Sequence, residues 1–96
     1  ATVVSTPTGD RAMLDAGSKA LTSDLLGLEG YGEVRSLSAA RIYATSEEHG
    51  FLDVSKVNDK PKVGDLVRIT PNHVCPVTNL FDKVVFVRGS QVLGAV

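Results

Sequence analysis

His73 and Cys75 carry the most chemical potential in this chain, because they bring an imidazole and a thiol to positions i and i+2. They lie in Pro71-Asn72-His73-Val74-Cys75-Pro76, directly after the alternating segment Leu66–Thr70, which reads as a strand. In extended backbone, residues two apart share a face and sit about 6–7 Å apart at Cα, so the two side chains are placed to converge on one ion. Zinc accepts an imidazole nitrogen and a thiolate readily. The flanking prolines stiffen the segment and favour its extended form. A closed structural zinc site takes four protein ligands, whereas the chain has one cysteine and two histidines. That count favours an open site whose remaining positions are left to water or substrate. The plainer alternative is a loop histidine beside a small buried thiol.

The second cluster is Ser46-Glu47-Glu48-His49-Gly50. Two carboxylates beside an imidazole suit acid–base work, a metal shell, or simply a polar turn between strands. His49 is the only other histidine and falls at a connection between two predicted strands. Weaker candidates read as structure. Gly27-x-x-Gly30-x-Gly32 has the wrong order for a dinucleotide fingerprint, and Gly17-Ser18-Lys19 has no base at a suitable spacing and reads as a turn. Tyr31 and Tyr43 read as packing residues with a wet hydroxyl.

The elements that must position these groups are short. Gly, Pro, Asn and Asp punctuate the chain, and no long stretch keeps a 3.6-residue apolar stripe. Predicted strands are Thr2–Ser5 and Arg11–Asp15 as a hairpin across Thr6–Asp10, then Val34–Leu37, Ala40–Ser46, Phe51–Val54 and Leu66–Thr70. The buried-looking run Lys83–Arg88 follows and pairs with Gln91–Val96 across Gly89–Ser90. Thr22-Ser23-Asp24 caps one short helical turn through Leu25–Leu26, and Gly27–Gly32 is a loop. The expected fold is therefore all-β, a small Greek-key-like β-barrel, in one domain spanning residues 1–96.

Composition narrows the partners. With 10 Lys+Arg against 11 Asp+Glu the net charge is −1, which offers no basic field for nucleic acid. The longest apolar runs, such as Val84–Val87, fall far short of the ~20 residues that span a bilayer. The N-terminus lacks the pattern of a signal peptide. A single cysteine excludes an internal disulfide and fits a reducing compartment, so the cytoplasm is the expected location. A chain of 96 residues has a core but little room for a deep private cavity.

Five blocks, taken in order, add what spacing does not: Asp15–Leu21, Gly30-Tyr31-Gly32, Ser46–Gly50, Val63-Gly64-Asp65, and Pro71–Pro76 with Asn79-Leu80. Together they resemble the C-terminal domain of the D-serine dehydratase and D-threonine aldolase family, over nearly the whole chain. The resemblance implies an alanine-racemase-type enzyme: an N-terminal (β/α)₈ barrel that carries pyridoxal phosphate on a lysine, followed by a β-rich domain like this one, in a homodimer. It also implies that His73 and Cys75 are ligands to a divalent metal, zinc in the first instance and manganese or another in the second. The Ser46–Gly50 block then lies near the same site, with His49 the first and Glu48 the second candidate for a catalytic role.

Activation of a substrate β-hydroxyl is the expected task of that metal site, on a D-3-hydroxy amino acid. Loss of the hydroxyl makes the enzyme a dehydratase/deaminase, which Cys75 as second ligand favours in this family. Cleavage of the Cα–Cβ bond makes it a D-threonine aldolase-type lyase, giving glycine and an aldehyde. A third reading, of a different class, is a non-catalytic structural or dimerisation β-domain. Two features depart from the family pattern: Pro76-Val77-Thr78-Asn79 reverses the middle pair of the usual Pro-Thr-Val-Asn, and Val96 falls short of the closing strand the family tends to carry. None of Lys19, Lys56, Lys60, Lys62 or Lys83 matches the cofactor lysine, so the 96 residues alone are expected to be inactive.

Overall fold

The β-branched opening segment forms β1 (Val3–Thr8) and folds back into β2 (Arg11–Leu14) in the computed structural model, which describes residues 1–96. β2 pairs on its other side with β5 (Gly50–Asp53), which pairs with β4 (Arg41–Thr45), giving an antiparallel sheet of order β1-β2-β5-β4. Alternation decides which face is buried. Ala12 and Leu14 are fully buried while Arg11 is exposed, and Leu52 stands opposite Ala12 on one side and Ile42 on the other. One row of buried side chains thus crosses three strands. Large aliphatic side chains in such a row each contribute about 1.5–3 kcal/mol by leaving water.

Val3, Val34, Val54, Val57 and Val67 complete the core. The segment before Val67 runs beside the N-terminus: the Val3 amide donates to Asp65 O at 2.8 Å, the Val67 amide to Ala1 O at 2.9 Å, and Thr2 bridges Leu66. The predicted strand Leu66–Thr70 is therefore divided. Its start pairs with the N-terminus, and only its end, β6 (Ile69–Thr70), joins a second small sheet with β3 (Glu33–Val34).

The all-β expectation holds, but the sheets do not close into a barrel. The main sheet, β3–β6 and a C-terminal hairpin of β7 (Val85–Arg88) and β8 (Gln91–Ala95) remain three separate hydrogen-bonded units. The run Lys83–Arg88, which reads as buried, is exposed throughout, with Phe86 at 51% and Val87 at 59%. This hairpin pairs with no other strand of the chain. The helical turn expected at Leu25–Leu26 is absent; the two short helices are α1 (Ser18–Leu21) and α2 (Val74–Thr78). No helix is long and apolar enough to cross a membrane.

Candidate functional site

His73 and Cys75 do not share one extended segment. β6 ends at Thr70, and only His73 is extended, at φ −137° and ψ 105°, where it precedes the first residue of α2. Cys75 already lies in the helical turn. Pro76 is tolerated in this first turn because its missing N–H would have had no intrahelical partner anyway. The Thr78 hydroxyl closes the turn against the carbonyls of Val74 (3.1 Å) and Cys75 (2.9 Å). The same-face argument for the pair therefore fails, and the thiol is exposed rather than buried. Next to this segment an apolar cleft of about 460 Å³ is lined by Leu21, Val67, Ile69, Pro71, Val77 and Phe81.

The loop from Thr22 to Gly32 is ordered by its own side chains and tied to the same segment. The Thr22 hydroxyl accepts the Asp24 amide at 3.1 Å, and Asp24 Oδ1 accepts the Leu26 amide at 3.0 Å. Leu26 and Gly27 follow with φ of 52° and 74°, and the Leu28 amide closes the turn on Leu25 O at 2.9 Å. Across the loop, Asn72 Nδ2 donates to Leu25 O at 3.1 Å and to Gly30 O at 2.7 Å. His73 Nδ1 lies 2.9 Å from Asp24 Oδ2. The His73 hydrogen bond first, and the Leu26 amide second, hold the Asp24 carboxyl below its ordinary range. The sequence alone gives Asn72 no role and Asp24 only that of a helix cap, and the same local hydrogen-bonding habit here serves a turn.

Glu47, Glu48 and His49 form the turn between β4 and β5, where the Ser46 hydroxyl accepts the His49 amide at 3.2 Å. This turn is clamped to the start of α1. The Ser18 amide donates to Ser46 O at 2.9 Å, the Lys19 amide to Glu47 O at 3.1 Å, and Lys19 Nζ contacts Glu48 Oε1 at 2.7 Å and Glu47 Oε2 at 3.5 Å. The Lys19 hydrogen bond, then its charge, lowers the Glu48 pKa; the Lys19 pKa is raised in return. No three His, Cys, Asp or Glu side chains gather closely enough to hold one ion. Neither His49 nor Glu48 makes a third ligand beside His73 and Cys75.

Two donor types remain, two residues apart in sequence. With Nδ1 of His73 engaged by a carboxylate, Nε2 is the ring nitrogen left to ligate. An exposed thiol lies two residues on. These donors fit an open zinc-type site completed from outside this group and do not fit a closed structural one.

A family model described as "Putative serine dehydratase domain" matches residues 1–87. A protein of Mycobacterium tuberculosis without an assigned activity is 40% identical over 84 residues, covering 86% of this chain and 63% of its own length. A D-threonine aldolase of Arthrobacter sp is 37% identical over 92 residues, 96% of this chain and 23% of the aldolase. Among solved structures, the D-threonine aldolase from Filomicrobium marinum superposes with a TM-score of 0.84 at 30% identity, over 98% of this chain and 25% of that one. An alanine-racemase-like protein from Idiomarina loihiensis gives 0.74 at 30% identity, over 88% and 26%. The chain thus spans under two thirds of the mycobacterial relative and about a quarter of the aldolases.

Proposed function

Because the chain belongs to the D-serine dehydratase/D-threonine aldolase family as its C-terminal domain, we propose that it supplies the divalent-metal edge of a pyridoxal-phosphate-dependent, cytoplasmic lyase. The substrate class is a D-3-hydroxy amino acid and the reaction is dehydration with release of ammonia. The observation that carries this reading is His73, engaged through Nδ1 by Asp24, two residues before the exposed Cys75 thiol. Zinc bound there supplies Lewis acidity toward the substrate hydroxyl, and pyridoxal phosphate held by a partner (β/α)₈ barrel supplies an electron sink.

The chain's own residues provide placement. His73 and Cys75 serve as the ligands, and Asn72 fixes the neighbouring loop through Leu25 and Gly30. Glu48 and Lys19 neutralise each other at the surface, so their first role is to hold the β4–β5 turn on α1. His49, exposed on that turn, is left as the only histidine besides His73 that can serve a substrate brought in by the barrel.

The specific competitor is retro-aldol cleavage, which the two D-threonine aldolase relatives favour. Assay of the two-domain enzyme with D-serine, D-threonine and D-3-hydroxyaspartate separates the two. A 2-oxo acid plus ammonia is expected, and glycine plus an aldehyde as the main products overturns the dehydratase assignment. In the same enzyme Cys75→Ala should remove the response to chelator and added zinc. An unchanged response overturns the ligand assignment and favours a purely structural domain, for which the exposed β7–β8 hairpin would serve as a contact between copies in a homodimer.

A further inference from the structure

We propose that Asp24 is a positioning residue for His73: its Oδ2 accepts a hydrogen bond from Nδ1–H, keeps the proton on that nitrogen and so presents Nε2 as the ligating nitrogen. The inference rests on the metal reading above. An ionised carboxylate only accepts hydrogen bonds, so the ring nitrogen 2.9 Å from Oδ2 must donate, and a neutral imidazole donating from Nδ1 carries its lone pair on Nε2. Histidine ligands in metal sites are commonly oriented this way, by a carboxylate on the nitrogen that does not touch the metal.

Three features separate this pair from an incidental surface contact. The two oxygens of Asp24 have separate tasks, Oδ1 on the Leu26 amide at 3.0 Å and Oδ2 on His73. The carboxylate is also held from the ligand side, because Asn72, adjacent to His73, donates to the carbonyl of Leu25, adjacent to Asp24. Finally, the pair joins residues 49 positions apart, which a local turn does not require.

The substitutions follow from this division of labour. In Asp24→Asn the carbonyl can keep the Leu26 turn while the NH₂ faces His73, which then accepts at Nδ1 and carries its proton on Nε2. Asp24→Ser keeps a turn acceptor with a hydroxyl too short to reach the ring. The 96-residue chain, labelled with ¹⁵N, is titrated with zinc alone, and long-range ¹H–¹⁵N spectra of His73 report both tautomer and occupancy; the Leu26 amide resonance monitors the turn. The Nδ1–H tautomer is expected in the parent. Both variants should shift toward Nε2–H and bind zinc about 10–100-fold more weakly. An unchanged tautomer, or a changed one with unchanged zinc affinity, overturns the role of Asp24. Zinc affinity that survives His73→Ala overturns the metal reading itself, and this proposal with it.

Discussion

Gly17 lies so close to the Ser46 carbonyl that a Cβ on it would stand 2.4 Å from the oxygen. Glu47 O and His49 N would each be 2.5 Å away, all three being backbone atoms that cannot swing aside. The absence of a side chain here lets the amides of Ser18 and Lys19 reach the β4–β5 turn. Gly17→Ala should therefore destabilise the chain by about 1–3 kcal/mol, the usual range for overpacking. Urea unfolding should show a lower midpoint at unchanged slope. Gly9→Ala, with nothing within 4 Å of the added carbon, is the control and should stay within about 0.5 kcal/mol. Equal midpoints for the two variants would contradict the clamp.

The same clamp has a pH signature. Glu48 titrates below its ordinary value of 4.5 because Lys19 hydrogen-bonds it, so near that pH the unfolded chain binds more protons than the folded one. Its contribution is present above pH 4.5 and lost as pH falls through the folded value. Lys19 is shifted upward, so its share is intact below 10.5 and lost at higher pH. The melting-temperature gap between the parent and Glu48→Gln should be level near neutrality and close at both ends. Both side chains are more than 60% exposed, so about 0.5 M salt should shrink the gap throughout. A gap that widens in acid would contradict this account.

Leu26 and Gly27 make a turn whose two central residues both have positive φ, yet only one is glycine. A left-handed conformation costs a non-glycine residue about 1–2 kcal/mol. Leu26 is 56% exposed, so truncating it loses little buried surface. Leu26→Gly should be neutral to stabilising by up to about 1 kcal/mol, after the added freedom of the unfolded chain is subtracted. Gly27→Ala should destabilise by about 1 kcal/mol, although it too points into open space. Thermal melts of the pair decide it, and parallel effects would refute the backbone explanation.

Features with local causes were legible in the sequence, and those set by distant partners were not. Period-two burial at Ala12, Leu14, Ile42 and Leu52 announces the main sheet, because the neighbours that bury those residues are also strands. The positions of His73 and Cys75 as the chemically distinctive pair are equally plain, but their local geometry is not. Prolines at positions 71 and 76 suit an extended segment, and Pro76 equally suits the first turn of a helix. The apolar run at Val84–Val87 reads as buried since hydrophobicity marks a surface that seeks cover without saying whether this chain supplies it. Asp24 stayed hidden because its partner is 49 residues away.

Asn72 gives the strongest handle on the loop that faces His73. Its amide makes two hydrogen bonds to carbonyls from a half-buried position, 3.1 Å to Leu25 and 2.7 Å to Gly30. Each is worth about 0.5–1.5 kcal/mol net, so Asn72→Ala should cost about 1–3 kcal/mol and speed amide exchange at Leu26 and Leu28. Asn72→Asp should cost more near neutral pH, because it sets a carboxylate against two carbonyl oxygens that both require a donor. Acidification should recover part of that loss, since a protonated carboxyl regains one O–H to donate. Unfolding midpoints of both variants measured across the carboxylate range check the sign. If Asn72→Asp grows less stable relative to Asn72→Ala as the pH falls, the two carbonyls are not what holds the loop.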